Sequence, residues 1–192
     1  GNLYLAGSNT YSGETRVIAG GLVVQNTNAL FGSTLNLAGT DTGTVIFHQN
    51  ISSAIIGGLT GGRNMVLQKS NGAPLSVSIG RNNSNQTYSG VLSGAGSLVK
   101  TGTGTLTLSG NNTYSGGTTI DGGQLNISGS IAGPVTVNSG SRIMGSGIVS
   151  GNVTIAPGGM LKDLVVSDNL NVVGNLANGG TYDPKSAVGQ LD

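Results

Sequence analysis

The sequence contains no cysteine and few charged, aromatic or proline residues. Of its 192 residues, 8% are charged, 4% are aromatic and four are proline. Without cysteine, neither a disulfide framework nor a thiolate metal site can form. The few prolines and the lack of a Gly-X-Y period exclude collagen. The low charge argues against a helical domain, because solvated helix faces are normally covered by Glu, Lys and Arg.

Two further absences restrict the partners of the chain. The net charge of +1 comes from eight basic and seven acidic residues that are scattered along the sequence. Such a balance creates no field that attracts nucleic acid or an anionic membrane. No apolar run approaches the roughly 20 residues that span a bilayer, and no signal peptide opens the chain. We therefore predict no nucleic-acid partner and no membrane-embedded segment.

Glycine is the most conspicuous residue that is present, with 36 copies, nearly one residue in five. Each glycine inside a helix costs about 0.8–1 kcal/mol relative to alanine, so this content disfavours helices. Leu, Ile, Val and Phe make up about a quarter of the chain, which is enough for a folded core. The composition predicts an all-β protein that is solvated by hydroxyl and amide side chains.

The sequence repeats itself. Residues 1–24 align with 104–127 at 12 identical positions of 24. The shared pattern is Leu-x-Leu-x-Gly-x-Asn-Thr-Tyr-Ser-Gly-x-Thr, followed by a Val or Ile and a second Gly-x-Leu. A shorter copy, residues 87–90, precedes residues 113–116 by 26 positions. Ordered Leu and Tyr matches indicate a true repeat, with copies near 1–24 and 87–127.

The repeat predicts short strands separated by turns. Leu106 and Leu108 alternate with threonines, the period of two that is typical of a half-buried strand. Asn111 and Asn112 are expected to end this strand, and residues 57–62 and 94–96 to form glycine turns. Residues 118–120 and 125–127 resume the alternation. Similar strands are predicted at 34–37, 44–47, 65–68, 75–79, 98–100, 135–137, 153–155, 164–166 and 170–173.

Strands of three to five residues suit a solenoid whose coils stack at about 4.8 Å. With roughly 20–26 residues per coil, the chain would form about 7–10 coils. A β-sandwich or barrel is the competing geometry. The short strands and the repeat intervals of 26 and 103 residues favour the coil.

Residues 87–127 closely resemble the passenger-associated strand repeat of bacterial autotransporters and related large surface proteins. Residues 100–110, KTGTGTLTLSG, are the most recognisable part. Residues 145–159 resemble the segment that follows the last such repeat, and 3–24 form a more divergent match. The resemblance implies a right-handed parallel β-helix, a single-stranded solenoid, displayed outside a bacterial cell. Residues 1–192 would then be one β-helical segment of a longer protein, since Gly1 falls inside a repeat.

Parallel β-helices also include enzymes that cleave polysaccharides, and these need clustered carboxylates. No two acidic residues here lie within four positions of each other, so we predict turn or strand-end roles for them. The seven acidic residues are Glu14, Asp41, Asp121, Asp163, Asp168, Asp183 and Asp192. Convergence across neighbouring coils is the alternative that the sequence leaves open.

Other candidate sites also favour structural interpretations. His48 is the only histidine, without a nucleophile elbow or further metal ligands, and the glycine-rich loops lack a phosphate-binding pattern. The recurrent tyrosines, Tyr11, Tyr88 and Tyr114, are expected to cover the core and bond back to a turn; a sugar-stacking platform is the alternative. Alternating threonines at 101–107 suit solvated strand positions better than an ice-binding row. We predict no catalytic, cofactor or metal residues.

The sequence therefore predicts a non-enzymatic structural stalk, a display module of a secreted or cell-surface protein that supports adhesion or surface assembly. Open end coils would allow self-association into filaments, and a host or matrix ligand is left unidentified. A carbohydrate-binding or polysaccharide-cleaving β-helix is the alternative function.

Overall fold

The computed structural model describes residues 1–172, which form a parallel β-solenoid of about eight turns without a helix. The predicted all-β solenoid is thus confirmed, whereas its right-handedness stays a prediction. Residues 1–172 build 23 short strands. In chain order they are β1 Asn2–Leu5, β2 Glu14–Arg16, β3 Gly21–Val24, β4 Leu30–Leu37, β5 Thr44–Phe47, β6 Ser53–Gly61, β7 Met65–Val66, β8 Ser76–Ile79, β9 Gln86–Tyr88, β10 Leu92–Ser93, β11 Ser97–Lys100, β12 Thr105–Leu108, β13 Asn111–Asn112, β14 Thr118–Ile120, β15 Gln124–Ile127, β16 Ser130–Ile131, β17 Val135–Val137, β18 Arg142–Met144, β19 Ile148–Val149, β20 Val153–Ile155, β21 Met160–Lys162, β22 Val165–Val166 and β23 Leu170–Val172.

The strands stack into three faces, and every ladder between them is parallel. Face 1 contains the first half of β6 followed by β8, β11, β14, β17, β20 and β23. Face 2 contains β2, the second halves of β4 and β6, and then β9, β12, β15, β18 and β21. Face 3 is divided into the pair β7–β10 and the four strands β13, β16, β19 and β22. Before it lies a separate N-terminal sheet, β1–β3–β5. Parallel pairing in every ladder of the described residues excludes the sandwich alternative, and the single antiparallel contact is an isolated bridge between Gln68 and Pro74.

The ladder register gives the length of each coil. Asn36 pairs with Thr60, 24 residues later, whereas Thr107 pairs with Asn126, 19 residues later. Near the C-terminal end Thr154 pairs with Asn171, only 17 residues later. The last coils are therefore shorter than the sequence predicted. At about 4.8 Å per turn, the described part is a rod about 38 Å long.

The 26-residue interval of the Thr-Tyr-Ser-Gly motif is not a coil, contrary to the prediction. Tyr88 pairs with Leu108 on face 2, whereas Ser115, which follows Tyr114, bonds to Gly94 in a turn. The two tyrosines thus occupy different places around the solenoid. The motif specifies a strand end and a turn, and these recur on more than one face.

The core is a narrow column of aliphatic side chains. In β12 and β15 every second residue is buried and the residues between are partly exposed. Leu106, Leu108, Leu125 and Ile127 are at most 1% exposed. Burying one such side chain contributes about 1.5–3 kcal/mol, and the same alternation continues through β17, β18 and β20. The hydrophobic effect therefore acts coil by coil along the rod.

Two predicted turns are strands. Gly57 and Gly58 lie within β6, the longest strand, because their bare backbones pack against the neighbouring coils. A Cβ on Gly57 would lie 2.5 Å from the carbonyl carbon of Gly32. The strand before Asn111 and Asn112 does end as predicted, at Leu108, but the two asparagines form the short strand β13 and not a turn. Residues 94–96 do form a bend, as predicted, and residue 173 of the last predicted strand lies outside the described residues.

Candidate functional site

A groove interrupts the coil stacking between β5 and β7. The two strands belong to different sheets and do not pair; an isolated bridge between Phe47 and Lys69 closes one end of the gap. The groove has a volume of about 670 Å³. It is lined by Leu37, residues 41–47, residues 63–66 and residues 68–70. This volume is in the range of sites that hold small molecules or short peptides.

Both strands turn backbone groups towards the groove. In β5, the amides of Thr44 and His48 bond to the preceding coil at Gly20 and Val24. Because amides alternate in direction along a strand, the N–H and C=O of Val45 point the other way, into the groove. In β7, the amides of Met65 and Leu67 bond to the following coil, so the amide of Val66 faces back towards β5.

Arg63 takes the place of a missing ladder at the open end of the groove. Its Nη1 donates to the carbonyl of Asp41, at 3.1 Å, and to that of Gly43. The carbonyl of Arg63 in turn accepts a 2.6 Å hydrogen bond from the hydroxyl of Tyr88. The amide of Arg63 also bonds to the carbonyl of Leu37, so the guanidinium extends the contact between the two coils to residues 41–43.

Asp41 is buried beside the groove and is neutralised by Arg16. The Arg16 Nε and Nη2 donate to the two carboxylate oxygens at 2.7 and 2.8 Å. These hydrogen bonds lower the pKa of Asp41 and raise the pKa of Arg16. A bidentate pair of this kind is strongly oriented. The negative charge of Asp41 is therefore already matched within the fold.

Two cations of the groove have no such match. Among the described residues, the ion pairs are Arg16–Asp41 and Lys162–Asp163, and neither includes Arg63 or Lys69. Both side chains are half-buried in the groove lining. The groove therefore combines apolar walls, open backbone groups and an excess of positive charge.

A second polar site lies inside the core, at Lys100. The residue is 1% exposed, and its Nζ donates to the carbonyls of Thr101, Gly102 and Gly122 at 2.6–3.1 Å. Gly122 lies on the next coil, so the ammonium joins two coils. Burial lowers the pKa of Lys100 to about 8. The alternation in β11 could have revealed this site, because Leu98 points inwards and Lys100 follows it by two.

Asn112 bridges the division of face 3 between β10 and β13. It is 1% exposed and lies in the aliphatic column. Its Oδ1 accepts from the amide of Leu92, while its Nδ2 donates to the carbonyls of Gly110 and Ser130. Its Oδ1 thus accepts from the Leu92 amide in place of a backbone carbonyl, while the Leu92 carbonyl accepts a backbone bond from the amide of Thr113. Sequence reasoning missed this role, because Asn after Gly is typical of a turn.

Two further acidic residues, Asp121 and Asp163, have structural roles. Asp121 accepts a hydrogen bond from Asn138 across two coils, and Asp163 has the positive φ of 54° that is typical of a turn residue. No group of three potential metal ligands occurs within residues 1–172. Asp183 and Asp192 lie outside the described residues. The described part of the chain therefore contains no three-carboxylate cluster of the kind that holds a metal ion.

His48 and two of the three recurrent tyrosines have local structural contacts. The His48 Nδ1 accepts from the amide of Asn50 in a turn. Tyr88 and Tyr114 are fully buried, and the Tyr114 hydroxyl bonds to Thr118. Their burial confirms the predicted core role and excludes them from a sugar-stacking platform, whereas Tyr11 is 41% exposed.

The predicted threonine row is shorter than its sequence. Only Thr105 and Thr107 lie on a strand, while residues 101–104 form a bend. Thr107 lies between Thr87 and Asn126 on the neighbouring coils, so the outer row changes residue type at the next coil. Residues 1–172 contain no candidate membrane-spanning helix.

Comparison with known proteins agrees with this architecture. A family model described as the passenger-associated-transport-repeat matches residues 1–24 and 98–127. The chain carries passenger-associated-transport repeats. In the first repeat β1 and β3 belong to the N-terminal sheet, whereas in the second repeat β12 and β15 belong to the large sheet. The two repeats thus fold into the same kind of coil on different sides of the solenoid.

One curated protein extends the similarity beyond the passenger-associated-transport repeats. The chain is 36% identical over 112 residues to the adhesin BmaC autotransporter of Brucella suis biovar 1 (strain 1330). The alignment covers 56% of this chain but only 3% of that adhesin. The chain therefore corresponds to a small section of its relative. No solved structure is significantly similar to it.

Proposed function

We propose that this chain is a structural section of a β-helical passenger, a stalk that holds other parts of a surface protein away from a bacterial cell. The unbroken parallel stacking of faces 1 and 2 carries the proposal, together with the passenger-associated-transport repeats. In such a stack each coil contacts only its neighbours, so stability is nearly additive and folding propagates along the rod. Its role is mechanical and non-enzymatic.

The site of action in this proposal is the cell surface or the extracellular space. The adhesin name of the similar autotransporter supports a role in adhesion. The low net charge supports the absence of a nucleic-acid partner. An adhesive ligand from a host or matrix surface would be bound elsewhere on the longer protein or along the rod.

Surface display tests the proposal directly. We would insert residues 1–172 between an outer-membrane carrier and an epitope tag, and label intact cells with an antibody to the tag. A folded stalk predicts strong labelling, and the Gly57→Val variant, which cannot stack, predicts weak labelling. Gly39→Ala is the control, because nothing lies within 4 Å of its added Cβ. Equal labelling of all three proteins would contradict a structural role.

Self-association through the end coils forms the finer part of the proposal. Leu3, Tyr4 and Ile18 of the first coil are 63%, 57% and 67% exposed. The free edge of β1 offers backbone groups to a further coil, either of the same chain or of a second copy. Light scattering of the protein at increasing concentration tests this part. We expect the average molecular mass of the wild type to grow with concentration, and that of Leu3→Lys to stay at the monomer value. A constant monomer mass of the wild type would contradict self-association.

A carbohydrate-binding surface is the second candidate, and one observation favours it. Phe31 is 40% exposed, with the Arg81 guanidinium 5.3 Å from its ring centre. Exposed aromatic faces stack on sugars. A polysaccharide panel, assayed for binding and for new reducing ends, tests this candidate with Phe31→Ser as the matched variant. Binding that the variant retains would place the sugar elsewhere.

A further inference from the structure

The groove between β5 and β7 is a gap between two strand edges that face each other. The inner strands of faces 1 and 2 pair with the coil before and the coil after, whereas β5 of the N-terminal sheet and β7 of face 3 do not pair with each other. Here the N–H and C=O of Val45 and the N–H of Val66 are directed into the gap. Open strand edges are templates for another extended segment.

We propose that this groove binds an extended peptide with acidic side chains, which pairs with the Val45 edge of β5. The peptide backbone would supply the ladder that β5 lacks on this side. Its carboxylates would lie near Arg63 and Lys69. The peptide comes from a partner protein and adds one strand to the N-terminal sheet.

The backbone groups favour a peptide over a compact ligand. A peptide strand presents its N–H and C=O groups at the same alternating spacing as β5 itself, so it satisfies both groups of Val45 together. The apolar walls fit alternate side chains of such a strand, since Val45 and Ile46 are half-buried and Val66 is 43% exposed. A groove of about 670 Å³ holds only a short segment.

Charge selects the acidic sequence. Asp41 is paired with Arg16, so its charge does not repel an incoming carboxylate. Arg63 and Lys69 have no carboxylate partner among the described residues. The guanidinium of Arg63 already holds two carbonyls of the β5 segment through Nη1, which fixes its position at the rim. Opposite charges at a rim mainly increase the association rate and the specificity.

The test uses a blocked hexapeptide in which valine and glutamate alternate, and protein labelled with 15N at valine. We expect the amide signals of Val45 and Val66 to shift on titration. Two control peptides separate the contributions: one carries lysine in place of glutamate, and one is N-methylated at alternate residues. We expect about tenfold weaker binding of the lysine peptide and no measurable binding of the N-methylated one.

Two protein variants complete the test. Val45→Pro removes an N–H that points into the groove and leaves the ladder to β3 intact, so circular dichroism should not change. This variant should bind the valine–glutamate peptide about fivefold more weakly than the wild type does, as expected for one lost hydrogen bond. Lys69→Glu should bind the valine–glutamate peptide about threefold more weakly than the wild type in low salt, and should bind the lysine peptide more tightly.

Several results would overturn the proposal. One is the absence of binding at millimolar peptide. Another is binding of the N-methylated peptide to the wild-type protein with the same affinity as the unmethylated peptide. This comparison does not depend on the folding of any variant. Signals that shift only outside the groove would also overturn it. Finally, shifts of Val45 with polygalacturonate but not with the peptide would assign the groove to an acidic sugar.

Discussion

Polar side chains that point into the solenoid are matched by backbone groups of adjacent coils. The hydroxyl of Tyr88, the ammonium of Lys100 and the amide of Asn112 each reach carbonyls or amides that regular pairing leaves open. Burying such a group without a partner costs about 1–3 kcal/mol. The hydroxyl of Ser141 is the exception, since it has no partner within the described part of the chain. These side chains connect coils where the ladders are interrupted.

The lowered pKa of Lys100 predicts an unusual pH dependence of stability. Its pKa is about 8 in the fold and 10.5 when exposed. Between these values the unfolded chain binds more protons, so the free energy of unfolding rises with pH. We expect the wild type to gain about 1–2 kcal/mol relative to Lys100→Met between pH 7.5 and 9.5. Urea unfolding at several pH values measures this difference.

The comparison with Lys100→Met cancels the titration of all other groups. The methionine keeps most of the side-chain volume and does not titrate. Parallel stability curves for the two proteins would show that the ammonium keeps its ordinary pKa, held by its three carbonyl acceptors. A rise in the free energy of unfolding with pH that only the wild type shows would support the lowered pKa of the buried Lys100 amine.

The three tyrosines of the repeated motif should differ in their response to removal of the hydroxyl group. Tyr88→Phe and Tyr114→Phe each delete a buried hydrogen bond. We expect each to lower the free energy of unfolding by about 1–2 kcal/mol. Tyr11→Phe is the matched control on an exposed side chain, with an expected change within about 0.5 kcal/mol. Chemical denaturation of the three variants measures this, and equal losses would refute the distinction by burial.

At the scale of elements, the bare backbone of some glycines allows neighbouring coils to approach. Gly57 in β6 lies against Gly32 of the preceding coil. A Cβ added to Gly96 would lie only 2.2 Å from the carbonyl oxygens of Leu67 and Leu75. Any side chain at these positions would push the backbones apart. Part of the high glycine content is therefore a requirement of stacking, apart from any turn.

Gly57→Ala should separate two coils in the middle of the rod. Its Cβ would meet the Gly32 carbonyl and the Ser33 amide at 2.5–2.7 Å, so backbone must move. We expect a loss of about 2–4 kcal/mol in the free energy of unfolding, at or above the usual cost of overpacking. Thermal or urea unfolding measures it, with Gly39→Ala as the control that should stay within about 0.5 kcal/mol. Similar losses in both variants would contradict the stacking argument.

At the scale of the whole molecule, burial is graded along the rod. The strands β1 and β2 of the first coil are largely exposed, whereas β12 and β15 have fully buried inward residues. A solenoid with nearest-neighbour contacts opens most readily where a coil has few of them. The first coil should therefore be the least stable part of the described structure.

Hydrogen exchange should follow this gradient. We expect the amides of β1 to exchange fastest and those of β11, β12 and β15 slowest, since the latter lie between paired coils on both sides. Mass spectrometry of peptic fragments after timed deuteration measures the protection. Uniform protection from β1 to β20 would show that the rod unfolds as one unit. A second copy stacked on β1 would raise protection there at high concentration.

The stacked-coil architecture could be predicted from the amino-acid pattern alone. Alternation of aliphatic and hydroxyl residues over short segments, separated by glycine, is satisfied by stacked coils, because only stacking buries so narrow an apolar edge. The strands at 44–47, 135–137 and 153–155 were predicted with their observed bounds. The burial of Tyr88 and Tyr114 also followed from the repeated motif.

Which strands of neighbouring coils pair, and where the groove lies as a result, became clear only from the tertiary structure. Strand periodicity is the same on every face, so the sequence could not show that the two repeats fold on different sides. Nor could it show that β5 and β7 fail to pair, because both strands have the alternation of an ordinary strand although they lie in different sheets. Arg63, Asn112 and Gly57 owe their roles to this register, since each acts on a neighbour about 20 residues away in the chain.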